Sequence, residues 1–421
     1  MIQTIELKSG VTLRCFRDDR FKQGAMSVQF LRPLCKEEAA LNALIPAVLL
    51  RGTRQHPDLR RITLHLDDLY GASIGALVRK VGDLQTTGLY CSFMDDRFAL
   101  EQDQILEPAV SFLSQLLLDP VLEDGCFSRD FMESEKRNLI LAIESQRNDK
   151  RQYANAQLLY KMCQGDPYGV PRLGNKEQVA EISAEDAYRH YQKILQESPI
   201  HIFYVGGADP EKLARLLRPV VAPLASNPME LPSQTGLQTA PTGEHTECLD
   251  VTQGKLCVGF ATPITLRQPE FAAMQVMNMI FGGGMTSKLF MQVREKQSLC
   301  YDIGSGYHGS KGLVTVSAGI EFAMKEPVLE QIRKQLAACC EGDFTEEELA
   351  AAKQGLLTQL QSTHDSPGAI ENYYASGLLS GLNMTTAQYM ERVEKVTAQQ
   401  VQAAARSLQE HTVYFLKGEQ V

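Results

Sequence analysis

The same order of predicted elements occurs twice along this chain of 421 residues. In each half, an apolar strand leads to an apolar helix, a stop containing glycine, a second helix and two strands joined by a turn. The first half contains the strand 26–30, the helix 37–50, the stop 51–53 and the turn 82–83. The second half contains the strand 256–260, the helix 269–281, the stop 282–284 and the turn 309–310. The repeat predicts two copies of one α+β unit, and chance similarity of the halves is the alternative.

One segment between the halves has the composition of a linker. Residues 225–247 are rich in Pro, Ser, Thr and Gly and show no periodicity. They predict one domain over 1–224 and a second over 248–421. Strand pairs joined by short turns favour mainly antiparallel sheets with helices packed on one face. The expected fold class is therefore α+β, with two homologous domains.

Charge and composition exclude several classes of function. The net charge of −9 disfavours a nucleic acid or an anionic membrane as a partner. No run approaches the roughly 18 apolar residues of a membrane span, and the N-terminal residues alternate like a strand and not like a signal peptide. The ten cysteines form no C-x-x-C pair, which indicates free thiols in a reducing compartment. We expect a cytoplasmic protein.

The common catalytic motifs are missing. No two of the eight histidines have the three- or four-residue spacing that places two rings on one helix face for a metal. His65, which is followed by Asp67 and Asp68, is better explained by a solvated polar face. There is no G-x-S-x-G motif, and FGGGMTSK at 281–288 lacks the spacing of a phosphate-binding loop. A hydrolase based on these motifs is therefore not expected.

The helix 37–50 has an unusual face. Its apolar residues follow the i, i+3, i+4 pattern of a core stripe: Leu41, Leu44, Ile45, Val48 and Leu49. The other side carries only small residues: Asn42, Ala43, Pro46 and Ala47. Proline inside a helix costs about 3 kcal/mol, because it lacks an N–H and clashes with the carbonyl four residues earlier. The small residues indicate a cavity wall or a close backbone contact, and a merely tolerated kink is the alternative.

The order of these elements resembles that of the pitrilysin-like zinc peptidases, or inverzincins, whose catalytic helix carries H-x-x-E-H before a (K/R)-G-T stop. Three further segments are similar to segments of that family, in the same order: GDPYGVPRLGNKEQVAEISAEDAYRHY at 165–191, YVGGAD at 204–209 and FGGGMTSKLFMQVREKQSLCYDIGSGY at 281–307. The resemblance runs from about residue 5 to residue 418. It implies two domains of the LuxS/metallohydrolase-like fold.

The resemblance also implies that the metal site has been lost. Counted back from the stop at 51–53, the positions of the first His, the Glu base and the second His hold Ala43, Pro46 and Ala47. The third ligand, a Glu on a later helix, falls at Ala142 if the family's E-x6-E spacing begins at Glu135. Alanine and proline have no atom that binds Zn²⁺ or activates its water. We expect no metal, no other cofactor and no peptidase activity of this chain by itself.

The second half matches the family at two further positions. In the two-subunit and two-half peptidases, an Arg and a Tyr from the C-terminal part help to hold the substrate carbonyl and the oxyanion, and Arg294 and Tyr301 match them. A guanidinium and a phenol suit those roles, although a surface ion pair and packing in the sheet are the alternatives. The glycines Gly282, Gly283 and Gly284 resemble a shorter form of the family's substrate-binding glycine loop, and a helix C-cap is the alternative there.

The resemblance thus implies a non-catalytic subunit that pairs with a zinc-bearing paralogue. The chain would contribute peptide binding and transition-state contacts, the zinc would lie in the partner, and the chain alone would be able to form homodimers. The closest likeness is to the paired cytoplasmic proteins of bacteria. A purely structural or peptide-binding scaffold without a role in proteolysis is the alternative, and an independent enzyme with a different site has little support.

Overall fold

A computed structural model describes residues 2–224, 228–233 and 236–418 of the chain. Their contacts define two compact units. Unit 1 consists of Met1–Glu144, Val170–Ser233 and His364–Ser376, and unit 2 consists of Ser145–Gly169, Gln234–Thr363 and Gly377–Val421. Each unit therefore combines residues from both sides of the predicted linker.

The described residues of the first half of the chain form eight strands. They are β1 (Ile2–Lys8), β2 (Val11–Arg17), β3 (Gln23–Pro33), β4 (Ser73–Val81), β5 (Leu84–Met94), β6 (Leu122–Glu123), β7 (Cys126–Phe127) and β8 (Ile200–Gly206). Six of them form the sheet of unit 1 in the order β1-β2-β8-β3-β5-β4, and β6 pairs with β7 in a separate hairpin. Only β2 and β8 run parallel, so this sheet is mainly antiparallel as expected.

The described residues of the same half also form eight α-helices. They are α1 (Lys36–Leu49), α2 (Leu59–Asp68), α3 (Leu106–Leu118), α4 (Arg129–Ser145), α5 (Lys150–Met162), α6 (Lys176–Glu181), α7 (Ala184–Glu197) and α8 (Pro210–Val221). The side chain of Ser183 accepts a hydrogen bond from the backbone of Asp186 and caps the start of α7. The core of unit 1 joins Met26, Val28 and Phe30 of β3 to Leu44 and Val48 of α1, as the core stripe indicated.

The second half supplies the remaining elements. The strands are β9 (Gly243–Cys248), β10 (Gly254–Ala261), β11 (Asp302–His308), β12 (Leu313–Ile320) and β13 (Gln409–Lys417). The helices are α9 (Phe271–Phe281), α10 (Lys325–Glu341), α11 (Glu346–Ser362), α12 (Pro367–Ser380), α13 (Thr386–Glu394) and α14 (Ala398–Arg406). The five strands form one sheet in the order β11-β12-β10-β13-β9, in which only β9 and β13 run parallel.

The two sheets share one strand order. The first sheet, counted from its edge strand β4, has the order β4-β5-β3-β8-β2, and the second has the order β11-β12-β10-β13-β9. The last neighbouring pair of each series is the parallel one. Strand β1 extends the first series by one strand. A repeated α+β unit requires this correspondence, and the fold class is the mainly antiparallel α+β class that the sequence predicted.

Each sheet also receives one helix on its other face. Ser27 and Gln29 alternate along β3 with the core residues, and both donate hydrogen bonds to Glu371 at the start of α12. In unit 2, Cys257 of β10 packs in one cluster with Ala154 and Leu158 of α5. The segments 145–169 and 364–376 thus pack in the unit that the linker position would not assign to them.

The predicted linker 225–247 includes 225–227, 234 and 235, which lie outside the described residues. Its last residues, from Gly243, form β9, because they pair in parallel with β13. Periodicity could not show this strand, because its exposed side chains alternate with only half-buried ones. Within the described ranges, no helix is long and apolar enough to cross a membrane.

Candidate functional site

The positions that the resemblance matches to the family's metal ligands lie on α1 and α4 of unit 1. Ala43 and Pro46 are buried and Ala47 is half-buried, so the small residues lie on a packed side of α1 and not on a solvent-facing one. Ala142 is exposed on α4. None of these four side chains carries a donor atom for a metal. The residues present therefore do not fit a zinc ion. Moreover, in the described part of the chain no three His, Cys, Asp or Glu side chains are grouped to hold one.

Pro46 leaves the carbonyl oxygen of Asn42 without its helical partner, because proline has no N–H. The hydroxyl group of Thr87 on β5 donates to this oxygen at 2.6 Å. Both groups are buried, so the hydrogen bond replaces one that α1 would otherwise have made itself. The proline is therefore compensated by the neighbouring strand, which a prediction from local sequence could not find.

Replacement of Thr87 by valine tests this compensation. Thr87→Val is expected to destabilise unit 1 by ~1–3 kcal/mol, because it leaves a buried carbonyl unsatisfied. In a Pro46→Ala background, the N–H of residue 46 bonds to the same carbonyl, and the cost of Thr87→Val should fall below ~1 kcal/mol. Urea unfolding of the four proteins in the cycle measures both values. Equal costs in the two backgrounds would contradict the compensation.

Asn42 also anchors α1 through its side chain, which is fully buried. Its Nδ2 donates to Oε1 of Gln85 on β5 at 2.9 Å, and its Oδ1 lies 2.8 Å from Nε2 of His190 on α7. The helix is thus held by a strand on one side and by a helix on the other. Burial lowers the pKa of His190 to about 4, with Glu38 opposing the shift and Arg32 and Lys193 adding to it. His190 is therefore neutral at pH 7.

This buried imidazole predicts a loss of stability in acid. The folded pKa lies below the unfolded value of about 6.5, so the stabilisation is complete above pH 6.5 and is lost as the pH falls toward 4. Between pH 7.5 and pH 5, wild type should lose ~2 kcal/mol more than His190→Gln, which keeps a donor for Asn42. Burial lowers the pKa of His201 to about 3, and this second group is common to both proteins. Equal losses, measured by urea unfolding, would refute the assignment.

One carboxylate of the family's E-x6-E spacing is still present. Glu135 on α4 is buried and accepts hydrogen bonds from Arg51 at 3.3 Å and from Asn138 at 3.1 Å. The guanidinium of Arg51 also stacks on the ring of Phe131 at 5.3 Å. Glu135 thus ties the residues that follow α1 to α4.

Two histidines meet in unit 1 although their spacing in the sequence gave no sign of it. The rings of His56 and His65 stack with centroids 4.5 Å apart, and both pack against Phe112. His65 is half-buried, so the expected solvated face holds for Asp67 and Asp68, which are exposed, but not for the His65 ring. Burial lowers the pKa of His65, and the His56 ring acts in the same direction. The contact of His56 with Phe112 holds the loop that follows α1 against α3.

Arg294 of unit 2 lies in a π-helical segment, Leu289–Glu295. Such segments are rare and are frequent at functional sites. Its guanidinium stacks on Phe290, 4.7 Å from the ring centroid, and its one ion pair among the described residues is with the adjacent Glu295, at 3.5 Å. The side chain is 41% exposed. A loose contact with its own neighbour leaves the fork of Arg294 accessible to a carbonyl or carboxylate.

Tyr301 follows the same segment and precedes β11. Its backbone N–H donates to the carbonyl of Gly319 at 2.8 Å, which fixes the residue beside β12. The side chain is 56% exposed, and its hydroxyl donates to Glu321 at 3.3 Å. The phenol is therefore not packed into the sheet.

The three glycines end α9. The N–H groups of Gly282 and Gly283 both bond to the carbonyl of Asn278, which is a C-cap arrangement. A Cβ atom at Gly282 would lie 2.6 Å from the Ser305 hydroxyl, and one at Gly283 would lie 2.9 Å from Met279 Cα. Close approach therefore requires glycine at these two positions. Gly284 has only one methyl group within 4 Å, at 3.8 Å.

The glycines also line a groove of about 600 Å³ in unit 2. Its other walls come from β11, from Ser317 of β12 and from Arg151 and Asn155 of α5. Strand β11 is an edge of its sheet. The groove is thus formed by a sheet edge, a glycine turn and one helix, which is a geometry that accepts an extended chain. Neither Arg294 nor Tyr301 is among its lining residues.

The fold and the degenerate ligand positions define a metallopeptidase-like protein without metal ligands, and comparisons with known proteins agree. A family model described as "Peptidase M16 inactive domain" matches residues 181–356. A Bacillus subtilis (strain 168) protein named "Probable inactive metalloprotease YmfF" is 31% identical over 416 residues, 98% of each chain. A Streptomyces coelicolor protein named "Uncharacterized zinc protease SCO5738" is 25% identical, over 88% of this chain and 79% of that protein.

The structural comparison gives the same result. The crystal structure of a conserved protein from Enterococcus faecalis V583 matches with a TM-score of 0.92 and 28% identity, over 99% of each chain. The chain therefore belongs to the pitrilysin-like M16 peptidase family, as an inactive homologue.

Proposed function

We propose that this chain is the non-catalytic subunit of a heterodimeric pitrilysin-like peptidase. In this proposal it binds an extended peptide along β11 and supplies Arg294 and Tyr301 to the active site of a zinc-bearing paralogue. The chain itself holds no zinc and no other cofactor. The observation that carries the proposal is the groove beside β11.

The free main-chain groups of β11 support peptide binding. The N–H of Ser305 donates to the carbonyl of Gly282 at 2.8 Å and not to β12, so the main chain at this residue faces away from the sheet. Main-chain direction alternates along an antiparallel strand, so Ile303 and Tyr307 face the same way. Among the described residues, no backbone group bonds to them on that side. Such an edge can pair with an added strand.

The exposed guanidinium and phenol support the second part of the proposal. Arg294 and Tyr301 have only weak or neighbouring partners, so contacts with a substrate would not have to replace strong internal bonds. The chemistry suits an acyl-transfer site, where a guanidinium orients a carbonyl and a phenol donates to the oxyanion. The zinc and the activated water would come from the partner.

Co-purification with a zinc-bearing paralogue tests the proposal. The chain alone should contain no stoichiometric zinc and should not cleave fluorescent casein. A mixture should form a complex with one zinc per pair and chelator-sensitive cleavage. One bound zinc in the chain alone would contradict the proposal, and a complex whose activity does not depend on this chain would favour the scaffold alternative.

A substitution in the groove tests the peptide site. Gly304→Val places a branched side chain in the groove and is expected to raise the KM of the complex for casein about tenfold or more, because it hinders an added strand. Thr246→Val on β9, the opposite edge of the same sheet, serves as the control and should not change KM. An unchanged KM for Gly304→Val would remove the groove from the proposed site.

A further inference from the structure

A second cleft lies in unit 1, and the positions 43, 46, 47 and 142 are not among its lining residues. It has a volume of about 420 Å³ and lies between α1, α6 and α7. Gln178 of α6 donates to the carbonyl of Lys36 at 3.0 Å and joins two of these helices. His190 of α7 is one of the lining residues, although it is only 7% exposed.

The hydrogen-bond network beneath the cleft determines the tautomer of His190. Nε2 of Gln85 lies 3.1 Å from the carbonyl of Ala39 and 2.7 Å from that of Arg172. Carbonyls only accept, so the amide nitrogen of Gln85 must face them and its oxygen must face Asn42. Asn42 then presents its nitrogen to Gln85 and its oxygen to His190.

It follows that Nε2 of His190 carries the proton, because it faces an oxygen that only accepts. In the neutral ring the other nitrogen, Nδ1, is then a lone-pair acceptor. Among the described residues, no group bonds to Nδ1. The unprotonated Nδ1 of His190 therefore has no protein partner. It belongs to a side chain that lines the cleft and is more than nine-tenths buried.

The charged groups around the cleft leave an excess of negative charge. Arg189 pairs with Asp186 at 3.1 Å, and Lys193 pairs with Glu38 at 2.7 Å. Two other lining carboxylates, Glu37 of α1 and Glu181 of α6, form no ion pair with any described residue. Glu181 lies three residues after Gln178, so both are on the side of α6 that faces the start of α1.

We propose that this cleft binds an alkylammonium group. Its N–H donors would meet Nδ1 of His190, and the carboxylates of Glu37 and Glu181 would balance its charge. An ammonium has three donors and no acceptor, which matches the three acceptor groups of His190, Glu37 and Glu181. The source is a lysine side chain of another protein or a free small amine, since both present the same chemistry. The site is independent of the groove in unit 2 and of peptide cleavage.

Nitrogen NMR of the imidazole at pH 7.5 tests the site. The signals of His190 are assigned by their loss in His190→Gln, and they should show a protonated Nε2 and an unprotonated Nδ1. Titration with N-acetyl-lysine methylamide should shift the Nδ1 signal and saturate. The Nε-acetylated probe has no charge and should leave the signal unchanged. A protonated Nδ1, no shift, or an equal shift with the acetylated probe would overturn the proposal.

Substitutions at exposed positions keep the test independent of folding. The double variant Glu37→Gln/Glu181→Gln should weaken binding of the lysine probe at least fivefold. Glu177→Gln, also on α6 but outside the cleft, should not change it. Equal affinity of the double variant would overturn the proposal. The affinity for propylamine is then compared with that for a lysine-containing peptide. Binding of the peptide that is at least tenfold tighter indicates a lysine side chain of a protein, and equal affinities indicate a free amine.

Discussion

Glu371→Ala is expected to destabilise unit 1 by ~3–5 kcal/mol, because it leaves a charged group unpaired in a buried site. The side chain of Glu371 is fully buried and forms an ion pair with Arg79 at 2.7 Å. It also accepts hydrogen bonds from Ser27 at 2.6 Å and from Gln29 at 2.7 Å. These bonds hold the start of α12 on the first sheet. The loss should therefore appear in urea unfolding and as faster hydrogen exchange in β3.

Two further variants test whether the cost of Glu371→Ala comes from the unpaired charge in the buried site. Arg79→Leu/Glu371→Leu removes both charges and should be closer in stability to wild type than Glu371→Ala, since no unpaired guanidinium remains. Glu144→Ala breaks an exposed pair with Lys176 in the same unit and should cost less than ~0.5 kcal/mol. If Glu371→Ala behaved like Glu144→Ala, the ion pair would not hold the segment.

Tyr301→Phe is expected to lower kcat of the reconstituted complex about 100-fold, because it removes one donor to the oxyanion. Its KM and the zinc content of the partner should not change, since the hydroxyl would act mainly in the transition state. The fold should not suffer, because the side chain is 56% exposed and makes one long hydrogen bond, to Glu321. Steady-state kinetics with fluorescent casein measures the effect.

Arg294 provides a companion measurement. Arg294→Ala should also lower kcat/KM, and Arg294→Lys should not restore it, because an ammonium lacks the planar fork of the guanidinium. Tyr160→Phe, at another exposed tyrosine of unit 2, is the matched control and should leave turnover unchanged. Normal turnover for both Tyr301→Phe and Arg294→Ala would assign these residues to the structure alone.

Much of the fold follows from local sequence because core periodicity and capping residues are local signals. The stripe on α1 predicted its helix correctly, and the side chains of Ser183 and Thr345 are local caps at the starts of α7 and α11. The repeat of elements anticipated the common strand order of the two sheets. The sequence could not predict that α5 packs on the second sheet and α12 on the first. The residue pattern of a helix that covers the second face of a sheet does not indicate which sheet it covers.

The sequence by itself determined that the residues at 43, 46, 47 and 142, which the resemblance matches to the metal ligands, carry no donor atom for a metal. Only the tertiary structure shows which long-range hydrogen bonds hold α1 in place. Thr87 lies 45 residues from Asn42 and His190 lies 148 residues from it. Glu371 lies 344 residues from Ser27. A buried polar group needs a hydrogen-bond partner, and the fold can supply that partner from a distant part of the chain. Local sequence patterns do not reveal such long-range pairs.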